Sequence, residues 1–183
     1  MASDSPGPGP LARLQELLDR QDILDCLLRY TRGVDRLDAE LFRSAYHPDA
    51  IDDHGVFKAP VEEFREWAFA GHLKNHHGTN HYITNHTCEL DGDTAHAETY
   101  VIMVGQNVAG TPVTLHGARY IDRLERRDGR WAIAHRVSML EWTGGLVPPD
   151  LPPVSREPNG IIARDRSDSS YERPLRPRQA DPT

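Results

Sequence analysis

The spacing of apolar residues changes once along this chain, and that change limits the folds open to it. Up to about residue 75 they recur every three or four positions, as in amphipathic helices. Beyond residue 81, segments rich in Thr, Val, Ile and Tyr are separated by turn signals, as in strands. Helices followed by consecutive strands predict an α+β fold, in which the helices pack on one face of a curved antiparallel sheet that closes over a cavity.

The first half is predicted to hold three helices. Leucines at helical spacing indicate a long helix from about Leu11 to Gly33, and we interpret the glycine as its C-cap. Asp38 is suited to capping a short second helix, which Pro48 ends. Pro60 is suited to the first turn of the third helix.

Strands are predicted from residue 50 onward. Residues 50–57 indicate a short strand or hairpin with a turn at His54-Gly55. Asp91-Gly92-Asp93 and Asp128-Gly129 are hairpin signals, and Ala109-Gly110 is a weaker one. These turns separate four longer strands, at residues 81–90, 94–106, 112–126 and 130–142. We therefore expect four strands joined by hairpins in an antiparallel sheet.

Proline content divides the chain into three parts. Residues 1–10 alternate proline with glycine near their end and are expected to be a flexible lead-in. Residues 11–147 carry the periodic segments and are expected to be one domain, because 183 residues with 38% hydrophobic content suit a single core. Residues 148–183 contain eight prolines and are expected to be a tail that is disordered or packs on a neighbouring subunit.

Composition argues against several classes of protein. With 28 acidic and 21 basic residues, the net charge is -7, so we expect no nucleic-acid partner. No apolar run approaches the roughly 20 residues that span a bilayer, and the N-terminus does not resemble a signal peptide. We expect no membrane partner and a cytoplasmic protein. Cys26 and Cys88 lack the spacing of a zinc site and are expected to be reduced thiols in the core.

Histidine is enriched in this chain, with ten in all and six between His47 and His81. Two imidazoles at the spacing of His77 and His81 would meet only on a helix, which the intervening glycine disfavours, so no metal site is predicted. His76 or His77 is a candidate second acid–base group at a cavity entrance. We expect surface positions for His47, His54, His72 and His96, and we assign no role to His86, His116 and His135.

Asp35 and His81 are candidates for a general base. A carboxylate near the end of an apolar helix is partly desolvated unless it finds a partner. If it bonds one nitrogen of His81, it fixes the tautomer and makes the other nitrogen more basic. Alternatively, Asp35 caps a turn or pairs with Arg32 or Arg36, and His81 bonds only the backbone. The residues alone leave both readings open.

Arg136, on the last predicted strand, also has two possible roles. Strand alternation places it on one face with small and apolar neighbours, namely Ala132, Ala134, Ser138 and Leu140. An arginine on that face could hold a substrate anion or carbonyl, or it could pair with a carboxylate in the core.

Four segments carry a resemblance to a known family: YTRGVD at 30–35, HYITN at 81–85, DGDTA at 91–95 and ERRDGRWAIAHR at 125–136. They resemble the SnoaL-like branch of the nuclear transport factor 2 superfamily over about residues 11–147. Within it, the pieces are similar to lindane dehydrochlorinase, scytalone dehydratase and bile acid 7α-dehydratase. The resemblance implies a cone-shaped α+β barrel with three N-terminal helices and a curved antiparallel sheet.

The resemblance also implies roles for four residues. By motif, Asp35 and His81 form a dyad that removes a proton, Arg136 stabilises the departing group, and Tyr30 polarises a carbonyl or hydroxyl. The acidic residue that the bile acid enzyme carries in mid-sheet is missing near Met103. The Asp-Arg-Asp set of limonene epoxide hydrolases is missing as well.

These roles imply a lyase that needs no cofactor. We expect a dehydratase that eliminates water from a hydrophobic cyclic carbonyl or hydroxyl compound, such as a steroid or polyketide. The alternatives are a polyketide cyclase or ketosteroid-type isomerase, or a non-catalytic protein that binds a hydrophobic ligand. A homodimer or homotrimer is expected. The predicted substrate contacts are Phe42, Tyr46, Phe64, Trp67, His77, Met103, Tyr120 and Trp142.

Overall fold

The computed structural model describes residues 9–147 and 160–175. Its helices are α1 (Pro10–Arg36), α2 (Ala39–Ser44) and α3 (Val61–Asn75), and its strands are β1 (Tyr46–Asp53), β2 (Lys58–Pro60), β3 (His76–Asp91), β4 (Thr94–Asn107), β5 (Val113–Arg127) and β6 (Arg130–Leu146). The α+β class, the three helices and the four long strands are confirmed. No helix in the described part of the chain is long and apolar enough to cross a membrane.

The sheet has six strands in the order β2-β1-β6-β5-β4-β3, and it is curved but not closed. Strands β3 to β6 form the predicted antiparallel meander. The sheet extends beyond this meander and is mixed, because β1 joins the free edge of β6 in parallel and β2 pairs with β1. The amide of Ile133 donates to the carbonyl of Ala45 at 2.9 Å where β1 meets β6. The segment at 50–57 was predicted as a strand, but local alternation cannot show which strand it joins.

The first helix continues past its predicted end at Gly33. Its C-cap is Leu37, which has a φ of 51° and donates its amide to the carbonyls of Gly33 and Val34. Gly33 has a packing role, because a Cβ at this position would lie 2.6 Å from the backbone nitrogen of Phe42 in α2. The glycine therefore lets α1 and α2 cross closely instead of ending α1.

The hydrophobic core lies between the helices and the inner face of the sheet. It includes Ile23 and Leu27 of α1, Phe42 of α2, and Leu124 and Ile133 of the sheet, all fully buried. Both cysteines are buried and unpaired, as the sequence predicts. This core positions the C-terminal ends of α1 and β1 and the first half of β3, which carry the candidate site.

Residues 160–175 pack against the same chain. The guanidinium of Arg164 donates to the backbone carbonyls of Asp35, His72 and His76 at 3.1 to 3.3 Å. The Tyr171 hydroxyl donates to Asp38 at 2.7 Å. Most of the predicted lead-in and the rest of the predicted tail lie outside the described residues.

Candidate active site

The side chains of Asp35 and His81 are in contact in the first half of β3. Asp35 lies in the last turn of α1, and its Oδ1 is 2.6 Å from Nδ1 of His81. The other carboxylate oxygen accepts the backbone amide of His81 at 2.8 Å, and Thr79 donates its hydroxyl to Oδ1 at 3.0 Å. Strand alternation brings Thr79 and His81 to the same face of β3, so both reach one carboxylate. Three hydrogen bonds therefore hold Asp35 in a single orientation.

This geometry determines which nitrogen of His81 can act as a base. A carboxylate only accepts hydrogen bonds, so Nδ1 of His81 must carry the hydrogen that lies between them. In the neutral ring, Nε2 is then unprotonated and free to accept a proton. The negative charge of Asp35 also stabilises the imidazolium that results.

A cavity of about 330 Å³ opens beside the dyad. Most of its wall is apolar, and His81 lies in the wall with Tyr30. Four predicted substrate contacts also line it, namely Phe64, Trp67, Met103 and Tyr120. A volume at the lower end of the range for small-molecule sites suits one small ring system. A wider depression of about 1080 Å³ is lined by His77, but neither Asp35 nor His81 lines it.

The other predicted contacts lie outside this cavity. Phe42 is fully buried in the core, and Tyr46 is buried with its hydroxyl on Asp52. Trp142 is on β6 with about half of its surface exposed, where it covers Gly117. His77 is exposed and borders the wider depression. Side-chain size and polarity suggested these four residues, but neither property shows which way a side chain faces.

Five of the ten histidines line the cavity: His54, His72, His76, His81 and His116. The predicted surface positions are wrong for His54 and His72, and also for His47, which is buried and bonds the carbonyl of Glu125. Only His96 of that group is exposed. Among residues 9–147 and 160–175, no group of three or more His, Cys, Asp or Glu is arranged to hold a metal ion.

Burial keeps several of these histidines neutral. It lowers the pKa of His72 to about 3, and the nearby His81 and Arg164 act in the same direction. The ring centroids of His72 and His81 are 5.6 Å apart. Burial also lowers the pKa of His76 and of His116. The wall therefore offers neutral imidazoles, which can donate or accept hydrogen bonds to a polar substituent.

We expect His72 to make the protein less stable in mild acid. Because its folded-state pKa lies below the ordinary value of about 6.5, the unfolded chain binds a proton that the folded one excludes. Stability from this group is complete above about pH 6.5 and is lost as the pH falls toward about 3. His72→Gln should reduce the loss between pH 7 and pH 5 by up to about 2 kcal/mol. Urea unfolding of both proteins at pH 7 and pH 5 measures this difference in the free energy of unfolding. An unchanged pH dependence in the variant would contradict the lowered pKa of His72.

Tyr30 presents a protonated phenol in the wall of the cavity that His81 also lines. Its ring makes edge contacts with Tyr46 and Tyr120, at centroid distances of 5.8 and 5.6 Å. Burial raises the pKa of Tyr30 well above the ordinary range of a phenol. The hydroxyl therefore stays a hydrogen-bond donor at neutral pH, as polarising a carbonyl requires.

Arg136 is fully buried and does not line the cavity. Its Nε and Nη2 donate to the two oxygens of Asp122, both at 2.7 Å, and Asp122 is also fully buried. The guanidinium lies between two rings, 4.1 Å from the centroid of Tyr30 and 4.0 Å from that of Tyr120. Direct contact with a departing group, as the resemblance implies, does not fit this position. The alternative partner, a core carboxylate, is the one that the structure contains.

Asp52 and His54 form a second carboxylate–imidazole pair, which was not predicted from the sequence. Nδ1 of His54 lies 2.6 Å from Oδ1 of Asp52, which is fully buried at the end of β1. The other oxygen of Asp52 accepts the Tyr46 hydroxyl at 2.5 Å. Asp52 and His54 are two residues apart, and that spacing on a strand places both side chains on one face. The sequence contained this signal, although His54 was expected at the surface.

Arg164 stabilises the segments that carry the dyad, because its guanidinium donates to backbone carbonyls of α1, α3 and β3. We expect Arg164→Gln to lower the free energy of unfolding by about 1 to 3 kcal/mol, because three partly buried carbonyls lose a charged donor. Arg166→Gln is a control in the same segment, with an exposed side chain on Glu40, and should cost less than about 1 kcal/mol. Chemical denaturation compares them, and equal losses would argue against this role of Arg164.

Comparisons with known proteins identify the family of this chain and proteins of similar fold. The sequence profile described as SnoaL-like domain matches residues 15–137. No curated protein matches the chain. A hexachlorocyclohexane dehydrochlorinase, LinA type 2, is 24% identical, with a TM-score of 0.66 over 76% of this chain and 99% of its own. LinA-type3 from Novosphingobium barchaimii LL02 is 23% identical, with a TM-score of 0.67 over 78% of this chain and 99% of its own.

A scytalone dehydratase-like protein from Novosphingobium aromaticivorans DSM 12444 is 17% identical. Its TM-score is 0.65 over 78% of this chain and 97% of its own. These structures show that the chain shares their fold. Because the family profile covers about two thirds of the sequence, including every residue of the dyad and of β3 to β5, this chain belongs to the SnoaL-like domain family.

Proposed function

We propose that this protein is a lyase that eliminates water from a hydrophobic cyclic compound carrying a carbonyl and a hydroxyl group, without a cofactor. The observation that carries the proposal is the Asp35–His81 pair, whose imidazole lies in the wall of a mostly apolar cavity. An aspartate-bonded histidine in such a cavity is suited to removing a weakly acidic proton from carbon. Solved structures of similar fold include a dehydrochlorinase and a dehydratase-like protein, both lyases by name.

Removal of the proton and stabilisation of the developing negative charge each have a residue suited to them. Nε2 of His81 takes a proton from the carbon next to the carbonyl, and Asp35 stabilises the imidazolium. Tyr30 donates its hydroxyl to the carbonyl oxygen, on which negative charge develops. A donor of this kind in a water-poor site contributes about 10²- to 10³-fold to the rate. The electrons of the C–H bond then form the double bond as the C–O bond at the next carbon breaks, and the departing oxygen takes up a proton and leaves as water.

The test is turnover of cyclic β-hydroxy ketones, including steroid and polyketide-like rings. Formation of the conjugated enone is followed by its ultraviolet absorbance, and loss of one water by mass spectrometry. The proposal predicts turnover of at least one ring class. Exchange of the substrate's C–H in D2O with no water loss, together with a shifted double bond in a matched β,γ-unsaturated ketone, would indicate an isomerase. Binding without exchange or turnover would indicate a ligand-binding protein, and either outcome would overturn the proposal.

A further inference from the structure

A second histidine reaches the cavity with its own buried carboxylate. His54 lines the cavity that His81 lines, and its Nδ1 is bonded to Asp52 at 2.6 Å. Asp52 is completely buried, and its other oxygen is occupied by the Tyr46 hydroxyl. The His81 dyad is similarly arranged, because there too a buried carboxylate holds Nδ1 and an additional hydroxyl bonds that carboxylate.

Packing fixes the His54 ring in one orientation. It stacks on Phe64 with centroids 4.5 Å apart, and Trp67 and Tyr120 lie within 6.5 Å of it. Since Nδ1 is committed to Asp52, Nε2 is the nitrogen left for a molecule in the cavity. When the ring carries a second proton, it forms an ion pair with Asp52 and offers Nε2–H as a donor.

The two dyads come from distant parts of the sheet. His54 follows β1, and His81 lies on β3, with β6, β5 and β4 between these strands. In a curved sheet, side chains from strands so far apart enter a shared cavity from different sides. One substrate could therefore meet an imidazole at each of two neighbouring carbons.

We propose that His54 is a second catalytic residue, the general acid that protonates the leaving hydroxyl group in the dehydration proposed above, on which this inference rests. His81 takes the proton from carbon, and the electrons of that C–H bond form the C=C bond. The C–O bond breaks, and the oxygen takes the proton from Nε2 of His54, so that water leaves. His81 is then protonated and His54 is neutral. One proton lost to solvent by His81 and one gained by His54 restore the starting state.

The test compares two substrates that differ only in their leaving group. One is a β-hydroxy ketone that the wild-type protein dehydrates, and the other carries chloride, which departs without a proton. His54→Gln keeps a polar side chain beside Asp52 but cannot transfer a proton. We expect it to slow loss of water by about 10²-fold or more, and loss of chloride by less than about tenfold. His81→Ala should slow both reactions, and the exposed His96→Gln neither.

Exchange of the substrate's C–H in D2O separates catalysis from misfolding. His54→Gln should retain this exchange, because His81 and the cavity remain. Equal slowing of both leaving groups, loss of exchange, or no effect on water loss would each overturn the role of His54. If the wild-type protein eliminates nothing from either substrate, the proposed function and this inference fail together. If His81→Ala abolishes elimination but His54→Gln does not distinguish the leaving groups, only this inference fails.

Discussion

His81→Ala is expected to slow elimination by about 10²- to 10⁴-fold, because it removes the group that accepts the proton. The fold should survive, since the imidazole lines a cavity and, among residues 9–147 and 160–175, bonds a single side chain, that of Asp35, through Nδ1. Steady-state kinetics on the best substrate of the ring panel measures the loss, and thermal unfolding checks the fold. His96→Ala is the matched control, because His96 is an exposed histidine on β4.

Asp35→Asn should reduce activity by a comparable factor for a different reason. The carboxylate accepts from the His81 ring, the His81 amide and the Thr79 hydroxyl. An asparagine has one acceptor oxygen and one donor nitrogen. If its nitrogen faces the His81 amide, two donors oppose each other. If it faces Nδ1, that atom must accept, and the hydrogen moves to Nε2, where it blocks the base. Unchanged activity in both Asp35→Asn and His81→Ala would contradict the proposed dyad.

Arg136→Met is expected to destabilise the protein by about 3 to 5 kcal/mol, because it leaves Asp122 as an uncompensated buried charge. Replacing both partners, as in Arg136→Met with Asp122→Leu, should recover much of that loss. Chemical denaturation of the single and double variants measures the difference.

The activity of the same variants tests whether Arg136 acts on the substrate. A buried arginine between Tyr30 and Tyr120 orients those rings and reaches the cavity only through them. The double variant should therefore retain part of the activity. A single variant of normal stability but without turnover would favour the direct contact that the family resemblance implies.

The fold class and the order of elements could be predicted because their signals are local. Apolar spacing located three helices and four long strands, and the DG turns located two of the hairpins. The end of α1 was misplaced because Gly33 serves a crossing with Phe42, and a contact between helices leaves no local pattern. The parallel pairing of β1 with β6 was missed for the same reason, since it joins segments about 85 residues apart.

The candidate site was partly predictable. Asp35, His81 and Tyr30 were identified by motif, and the structure brings them to one place. His54 was expected at the surface, although strand alternation places its side chain on the same face as that of Asp52. The direction of Phe42, Tyr46 and Trp142 could not be inferred, because an aromatic side chain suits a core as well as a cavity.

By itself, the sequence determined the succession of helices and strands and the residue types able to remove a proton, since both depend on neighbours along the chain. Only the tertiary structure decided which charged groups meet. The register of β5 against β6 sets Asp122 opposite Arg136, and the parallel docking of β1 brings Asp52 and His54 to the cavity of His81. Such pairings depend on strand order and register, which are set by burial across the whole core and not by any one segment.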